Sequence, residues 1–255
     1  MQLFRASAAN KLPATDVDCA AKLSAIFNTN AFEMEGSVEG VSEGLSGVCI
    51  LASRINHSCL PCANHRYNAK QKTYAIYASR DIEVDEEITI AYVPPTQSRE
   101  VRRADLRKSY GFDCMCKACD LSTGFGKQSA RNRAKIEELQ AGLKASRKPG
   151  VRRSGEVEPL RRVLGLLEEE RLGGGYEAER YVPSSFSSKD SVTDSADSRV
   201  ELAVALKDND ELPQAVAEME IAVELMGYNY GKDTVYFAKI QENLEGLRRA
   251  SVERR

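Results

Sequence analysis

Cysteine carries the first chemical signal in this chain. Cys114, Cys116 and Cys119 fall within Phe112-Asp113-Cys114-Met115-Cys116-Lys117-Ala118-Cys119, and Cys59 closes Asn56-His57-Ser58-Cys59. A tight C-x-C-x-x-C run presents three thiolates to one ion at small entropic cost. Zinc takes four soft ligands in a tetrahedron, so the fourth must return from elsewhere in the chain. Four sulfurs close the coordination shell and leave no position for water or substrate, which makes such an ion structural rather than catalytic. Cys62 forms a C-x-x-C pair with Cys59, so five cysteines compete for four places. Cys19 and Cys49 lack cluster spacing and read as small buried residues. The odd total of seven, the clustering and an N-terminus without a basic-then-apolar signal pattern favour reduced thiols over disulfides.

Other catalytic constellations are weak. His57 and His65 are the only histidines and show no H-E-x-x-H spacing, which argues against a zinc hydrolase. A nucleophilic dyad of Cys59 with His57 is not supported, because residues two apart face opposite ways on a strand and no third group is in view to orient the pair. Walker and Rossmann loops are absent, and Gly44-Leu45-Ser46-Gly47 reads as a turn. Tyr92 is more promising. Alternation along Ile88 to Tyr92 sets Ile88, Ile90 and Tyr92 on one face, so the hydroxyl points the way two aliphatic side chains point and requires an internal partner.

The elements that would position these residues follow from periodicity. Thr15 to Phe27 carries Leu23, Ile26 and Phe27 at helical spacing and ends at Asn28-Thr29-Asn30. Gly36 to Gly47 reads as a loop, and Val48 to Ile55 as a short strand or buried segment. Tyr74 to Ala78 and Ile88 to Val93 read as strands joined by an acidic turn. After Pro94-Pro95, the run from Gln97 to Ser109 is helical, with Arg99, Arg102, Arg103, Arg107 and Lys108 forming a solvated basic face. Beyond the cysteine run the pattern is wholly helical: Ile136, Leu139 and Leu143, then Leu160, Leu164 and Leu167. A terminal hairpin pairs Val216, Met219, Val223 and Met226 with Phe237, Ile240, Leu244 and Leu247, broken by Gly227 to Lys232. It packs as ordinary core rather than as a peptide groove. Residues 173–198, with three glycines and a Ser/Asp tract, read as disordered.

Charge and hydropathy set the frame. The 255 residues are 42% hydrophobic and 29% charged, enough for one sizeable core with a helical appendage. Lys+Arg 36 against Asp+Glu 38 leaves a net charge of -2, which gives no global field for nucleic acid or an anionic membrane. No apolar run approaches membrane-spanning length. The sequence therefore reads as intracellular.

Three motifs together carry a resemblance. Arg54-Ile55-Asn56-His57-Ser58-Cys59-Leu60-Pro61, then Arg80-Asp81-Ile82 with Asp85-Glu86-Glu87-Ile88-Thr89-Ile90-Ala91-Tyr92, then Tyr110-Gly111-Phe112 with the cysteine run, resemble the C-terminal half of a SET domain and its post-SET zinc site. Their order and spacing are most similar to the SET-and-MYND subgroup of protein lysine methyltransferases. The resemblance covers roughly residues 15 to 120. It implies an α+β fold: a partial, β-rich SET domain with the zinc cluster over 1–120, and a helical region over 121–255. It also implies that the strands bearing the family's G-x-G cofactor loop, and the MYND finger, lie outside this chain.

The same resemblance implies roles. Tyr92 would be the catalytic tyrosine. Asn56 and His57 would hold S-adenosyl-L-methionine, with Asn30 and Ser53 adding polar contacts and Tyr110 and Phe112 bordering the adenine and the lysine channel. Cys59, Cys114, Cys116 and Cys119 would hold a structural Zn2+. The implied activity is S-adenosylmethionine-dependent protein lysine N-methylation, on histone or non-histone proteins, in cytoplasm or nucleus. A non-catalytic, zinc-stabilised module that binds a protein partner is the alternative. A nucleic-acid-binding zinc module has only the Arg-rich helix behind it. One departure bears on the metal: the family usually has Asn immediately after the proline of N-H-S-C-x-P, where this chain has Cys62, with Asn64 two residues later.

Overall fold

In a computed structural model of the chain, the described residues are 14–34, 45–68, 72–78, 80–170, 172, 195–230 and 235–253. The fold is α+β, with small sheets in the first third and helices thereafter. Helix α1 (Ala14–Asn30) leads directly into β1 (Ala31–Met34), which pairs antiparallel with β2 (Leu45–Val48). A 3-10 turn (Ala52–Arg54) delivers the chain to β3 (Asn56–His57). An antiparallel hairpin follows, β4 (Ala63–Asn68) with β5 (Thr73–Ala78). The short β6 (Thr89–Ile90) then lies parallel to β3, in the register Asn56 to Thr89 and His57 to Ile90. That pairing lays the Asn-His segment beside the stretch that ends in Tyr92.

Helix α2 (Arg99–Tyr110) starts behind Ser98 and stops at Gly111. Gly111 has φ of 77°, a left-handed conformation that glycine adopts without penalty, and its N–H donates back to the carbonyls of Leu106 and Arg107. The stop swings Phe112 and the cysteine run back under the helix. Helix α3 (Gly124–Ser146) is capped by Thr123, whose hydroxyl accepts from the Gly126 N–H at 3.0 Å. A Cβ at Gly126 would stand 1.9 Å from the Asp120 carbonyl oxygen, so only glycine lets α3 begin this close to the cysteine run.

The remaining helices, α4 (Val157–Glu169), α5 (Ser195–Asp208), α6 (Leu212–Tyr230) and α7 (Val235–Glu253), pack each against its sequence neighbour. Their core joins Ile136, Leu160, Leu167, Met226 and Ile240, periodic positions expected from sequence, with Leu206 of α5, which the sequence pattern does not single out. Two smaller cores serve the front of the molecule. One gathers Cys59, Val93, Leu106, Cys114, Ala118 and Cys119, and the other Phe32, Ala52, Ala63 and Ile90; Tyr92 packs against both.

Several expectations are corrected. The Ile88 to Val93 strand is only two residues long, and Ile88 is 49% exposed, so the alternation does not run through it. In Val48 to Ile55, Ile50 and Leu51 are 79% and 83% exposed, because the Ser53 N–H bonds the Cys49 carbonyl and turns the chain before a strand can form. Of the loop expected over 36–47, residues 36–44 lie outside the described residues, while 45–47 belong to β2. Of the segment expected to be disordered, 173–194 lies outside the described residues, whereas 195–198 form the first turn of α5 with Ala196 and Ser198 buried. The break at Gly227 is absent, since α6 continues through Tyr230; 231 and 232 lie outside the described residues. Cys19 is exposed rather than buried. The basic face of α2 is the largest correction: Arg102 is fully buried.

Candidate functional site: a cysteine quartet beside Tyr92

Four sulfurs converge where the short core of the front region meets α2. The thiols of Cys59, Cys114, Cys116 and Cys119 all lie within 4.8 Å of one another. Cys59 Sγ is 3.9 Å from Cys114 Sγ and 3.6 Å from Cys119 Sγ. These are far beyond a disulfide bond of about 2.05 Å, and they approach the ~3.8 Å edge of a tetrahedron with zinc–sulfur bonds of about 2.3 Å. The donor set therefore fits a thiophilic cation of zinc's size. Proton sharing within the quartet points the same way. Hydrogen bonds from Cys114 and Cys119 hold the Cys116 thiol far below its ordinary range, while bonds with Cys114 and Cys116 push Cys59 well above its own. Unaided, the four do not ionise together; a divalent cation is what would let them.

Cys62 does not join them. Its thiol faces β6, where it accepts from the Thr89 N–H at 3.3 Å and lies 3.5 Å from the Glu87 carbonyl. Of the two candidates left open by the sequence, Cys59 is the one that joins the quartet. The backbone sets the difference: β3 ends at His57, and the Cys62 N–H bonds the Thr89 carbonyl, so that Cys59 and Cys62 lie on opposite sides of the intervening turn.

His57 and Cys59 are neighbours, against the expectation that residues two apart diverge. The ring Nε2 lies 3.3 Å from Cys59 Sγ, while Nδ1 accepts the Tyr92 backbone N–H at 3.0 Å. Accepting at Nδ1 places the ring proton on Nε2, so His57 donates to the sulfur and takes no proton from it. Burial holds the imidazole neutral, with its pKa lowered to about 4. A nucleophilic dyad therefore remains excluded, now by tautomer and by the full burial of Cys59.

Tyr92 lines two openings. Its hydroxyl donates to the Ile55 carbonyl at 2.6 Å, the internal partner that the inward orientation requires. Burial, then the neighbouring Tyr110 and Glu87, raises its pKa, so it remains a phenol. One opening is a cleft of about 430 Å³ whose lining includes Asn56, His57, Glu87, Tyr92, Phe112 and Cys116. The other is a pocket of about 30 Å³ bounded by Asn30, Ser53, His65, Tyr92 and Tyr110. The predicted site residues are thus divided: Asn56, His57 and Phe112 face the cleft, Asn30, Ser53 and Tyr110 face the pocket, and Tyr92 lines both. Two rings flank Tyr92, with Tyr110 at 4.8 Å and Phe112 edge-on at 6.4 Å. Asn56 is held by Glu87, its Nδ2 donating to Oε1 at 2.6 Å. Ser53 Oγ donates to the Asn30 carbonyl at 2.9 Å and joins the turn to the end of α1.

Residues 9–93 match the SET domain. The chain carries a SET domain. Among curated proteins similar to it is the histone-lysine N-methyltransferase set5 of Schizosaccharomyces pombe, 29% identical over a stretch covering 52% of this chain and 42% of that protein. The histone-lysine N-methyltransferase SMYD3 of Homo sapiens is 38% identical over 35% of this chain and 23% of its own length. The histone-lysine N-methyltransferase SET5 of Candida glabrata is 30% identical over a stretch covering 63% of this chain and 34% of that protein. The chain spans less than half the length of each of these relatives. Its SET-domain match ends at residue 93, so the cysteine run, α2 and the helical region lie beyond it.

Sequence reasoning missed two participants. Arg102 and Glu87 bind the site from outside the motifs' expected roles, Arg102 on the sulfurs and Glu87 on Asn56. Arg102 carried one readable signal: it shares a helix face with Leu106, four residues on, and that face is buried.

Proposed function

We propose that this chain carries the catalytic tyrosine and part of the cofactor site of an S-adenosylmethionine-dependent protein lysine N-methyltransferase. The observation that supports this most directly is the position of Tyr92, which lines both a cleft and a separate pocket and has its hydroxyl anchored to the Ile55 carbonyl. The cleft suits the cofactor in size, falling within the roughly 300–1,000 Å³ of small-molecule sites. It also suits the cofactor in charge, since Glu87 and Asp113 line it and a sulfonium is cationic. When bound, S-adenosylmethionine supplies an electrophilic methyl group to a neutral amine.

The chain's own residues would do the rest. Asn56, fixed by Glu87, and His57, fixed by Tyr92, offer a rigid polar wall for the cofactor. Tyr110 and Phe112 flank Tyr92 and exclude water from the reacting atoms. The Tyr92 phenol, kept protonated, directs its oxygen dipole at the amine and at the positive charge that develops during transfer. The substrate is a protein lysine, on a histone or another protein of cytoplasm or nucleus. The structural zinc ion would hold Phe112 against His57 from the far side of the cleft.

Titration calorimetry with S-adenosylmethionine, followed by transfer of labelled methyl to a panel that includes core histones, tests the proposal. Micromolar binding and labelling of lysine are expected, with labelling cut by roughly a hundredfold in Tyr92→Phe and cofactor binding weakened in Asn56→Ala. Labelling that is equally strong in both variants overturns the assignment. A chain that binds neither cofactor nor substrate while keeping its metal supports the non-catalytic module instead.

A further inference from the structure

Three arginines from outside the SET-domain match converge on two of the four sulfur ligands. Arg102 Nε donates to Cys59 Sγ at 3.1 Å, and its Nη2 lies 3.8 Å from Cys119 Sγ. Its remaining nitrogen, Nη1, is satisfied by the Gln97 carbonyl. Arg99 Nε donates to the Cys119 carbonyl at 2.9 Å, and Arg133 Nη2 to the Cys59 carbonyl at 3.0 Å. Among them Arg102 alone touches sulfur. It is 0% exposed, as is Cys59, and among the described residues no carboxylate is placed against it.

A guanidinium is not buried against neutral thiols without a large cost in lost hydration. The Cys59 and Cys119 sulfurs, 3.1 and 3.8 Å from Arg102 Nε and Nη2, are the groups placed to offset that cost. Four thiolates around one divalent cation carry two net negative charges, themselves desolvated here. We infer that Arg102 is the built-in counter-cation of the cysteine-bound metal centre, a positioning residue that spans Cys59 and Cys119 and makes helix α2 part of the site. It rests on the reading of the quartet as a metal centre. The charge it supplies halves the net charge of the buried centre, and its N–H groups orient sulfur lone pairs that the cation does not use. Arg133 differs in kind. It is already neutralised by Glu170 at 2.9 Å and reaches Cys59 only through the carbonyl.

The test uses the whole chain loaded with cobalt(II) in place of zinc, because thiolate-to-cobalt charge transfer reads the electron density on sulfur. Replacing Arg102 by Met is expected to shift that band and to speed zinc release to a competing chelator by roughly tenfold to a hundredfold. R102K, which keeps the charge but cannot span two sulfurs, should fall between. R133M should lower the unfolding midpoint without moving the band, so a merely structural loss is distinguishable. Should R102M not fold, the wild-type chain loaded with a spin-active cadmium isotope gives the same answer: a scalar coupling from the Arg102 side-chain N–H to cadmium, passed through Cys59 sulfur. An unshifted band with an unchanged release rate, or no such coupling, overturns the role of Arg102. A wild-type chain that takes up neither zinc nor cobalt overturns the metal centre itself.

Discussion

The backbone N–H of Tyr92 donates to Nδ1 of His57 at 3.0 Å, and the opposite ring nitrogen lies 3.3 Å from Cys59 Sγ. One imidazole therefore joins the cysteine quartet to the backbone of the proposed catalytic residue. The link is rigid because both ring nitrogens are committed, and because β3 and β6 hold His57 opposite Ile90, two residues before Tyr92. A cation at the quartet would fix Cys59, Cys59 would fix His57, and His57 would fix where Tyr92 leaves the strand.

Replacing His57 by Ala should loosen Tyr92 without emptying the metal centre. The Tyr92 N–H loses its acceptor, an unmet buried donor that costs about 1–3 kcal/mol. Denaturant titration should show that loss, and elemental analysis should still show one zinc per chain. A variant with unchanged stability would mean that the Nδ1 bond holds nothing in place.

Cys59 and Cys62 should behave oppositely. Cys59→Ser removes one of four sulfurs and leaves Arg102 facing a weaker, uncharged partner, so the purified protein should retain little zinc. Cys62→Ser touches only the β6 backbone, through Thr89 and Glu87, and should retain the full complement. Metal content of the two proteins, measured after identical dialysis, decides the matter; zinc lost from Cys62→Ser and kept in Cys59→Ser would reverse the ligand assignment.

The helical region is fastened to the site by a charge pair that is buried on both sides. Arg133 on α3 and Glu170 after α4 are 0% and 2% exposed, and Glu170 also accepts from Ser129 at 2.6 Å and Asn132 at 3.0 Å. Arg133 in turn donates to the carbonyls of Pro95 and Cys59. Burial, and then the charge of Arg102, lowers the Arg133 pKa, so its own carboxylate matters. Glu170→Met and Arg133→Met should each cost roughly 3–5 kcal/mol by leaving the partner's charge buried and unpaired. The double variant Arg133→Met, Glu170→Met should recover much of the loss. Urea midpoints for the four proteins give the coupling directly, and a double variant as unstable as the sum of the singles would show the pair to be uncoupled.

What the sequence disclosed follows from how local each signal is. The spacing of Cys114, Cys116 and Cys119 lies within one turn, and the helical stripes within one helix, so both were readable. The choice between Cys59 and Cys62 was not, because it depends on where β3 ends and the following turn begins. Strand alternation separated His57 from Cys59 on paper. In the structure the strand stops at His57, and the Leu60 N–H bonds the Ser58 hydroxyl at 3.0 Å, which folds Cys59 back toward the ring. Arg102 was concealed by composition: among five basic residues on α2 it differs only in its partners, and those arrive from Cys59 and Cys119, 43 and 17 positions away.

His65 supplies a pH dependence that can be isolated. It lies at the centre of β4, with Nδ1 2.8 Å from the Tyr74 hydroxyl and its ring edge-on to Phe32 at 5.1 Å. Burial lowers its pKa from 6.5 to about 4. Between those values the unfolded chain binds a proton that the folded chain refuses, so stability falls as the solution is acidified from about pH 6.5 toward 4 and levels off below. His57 is shifted in the same direction, and the cysteines add their own acid sensitivity, so the wild-type curve alone does not assign the effect. Subtracting the curve of His65→Gln removes the shared contributions. The difference in unfolding free energy should change by roughly 2 kcal/mol between pH 7 and pH 4, less than the full shift would give because the residue is half-buried. The sign is fixed: the wild type loses more stability than the variant on acidification. A difference that stays flat across that range would show that His65 takes up its proton in the folded chain as readily as in the unfolded one.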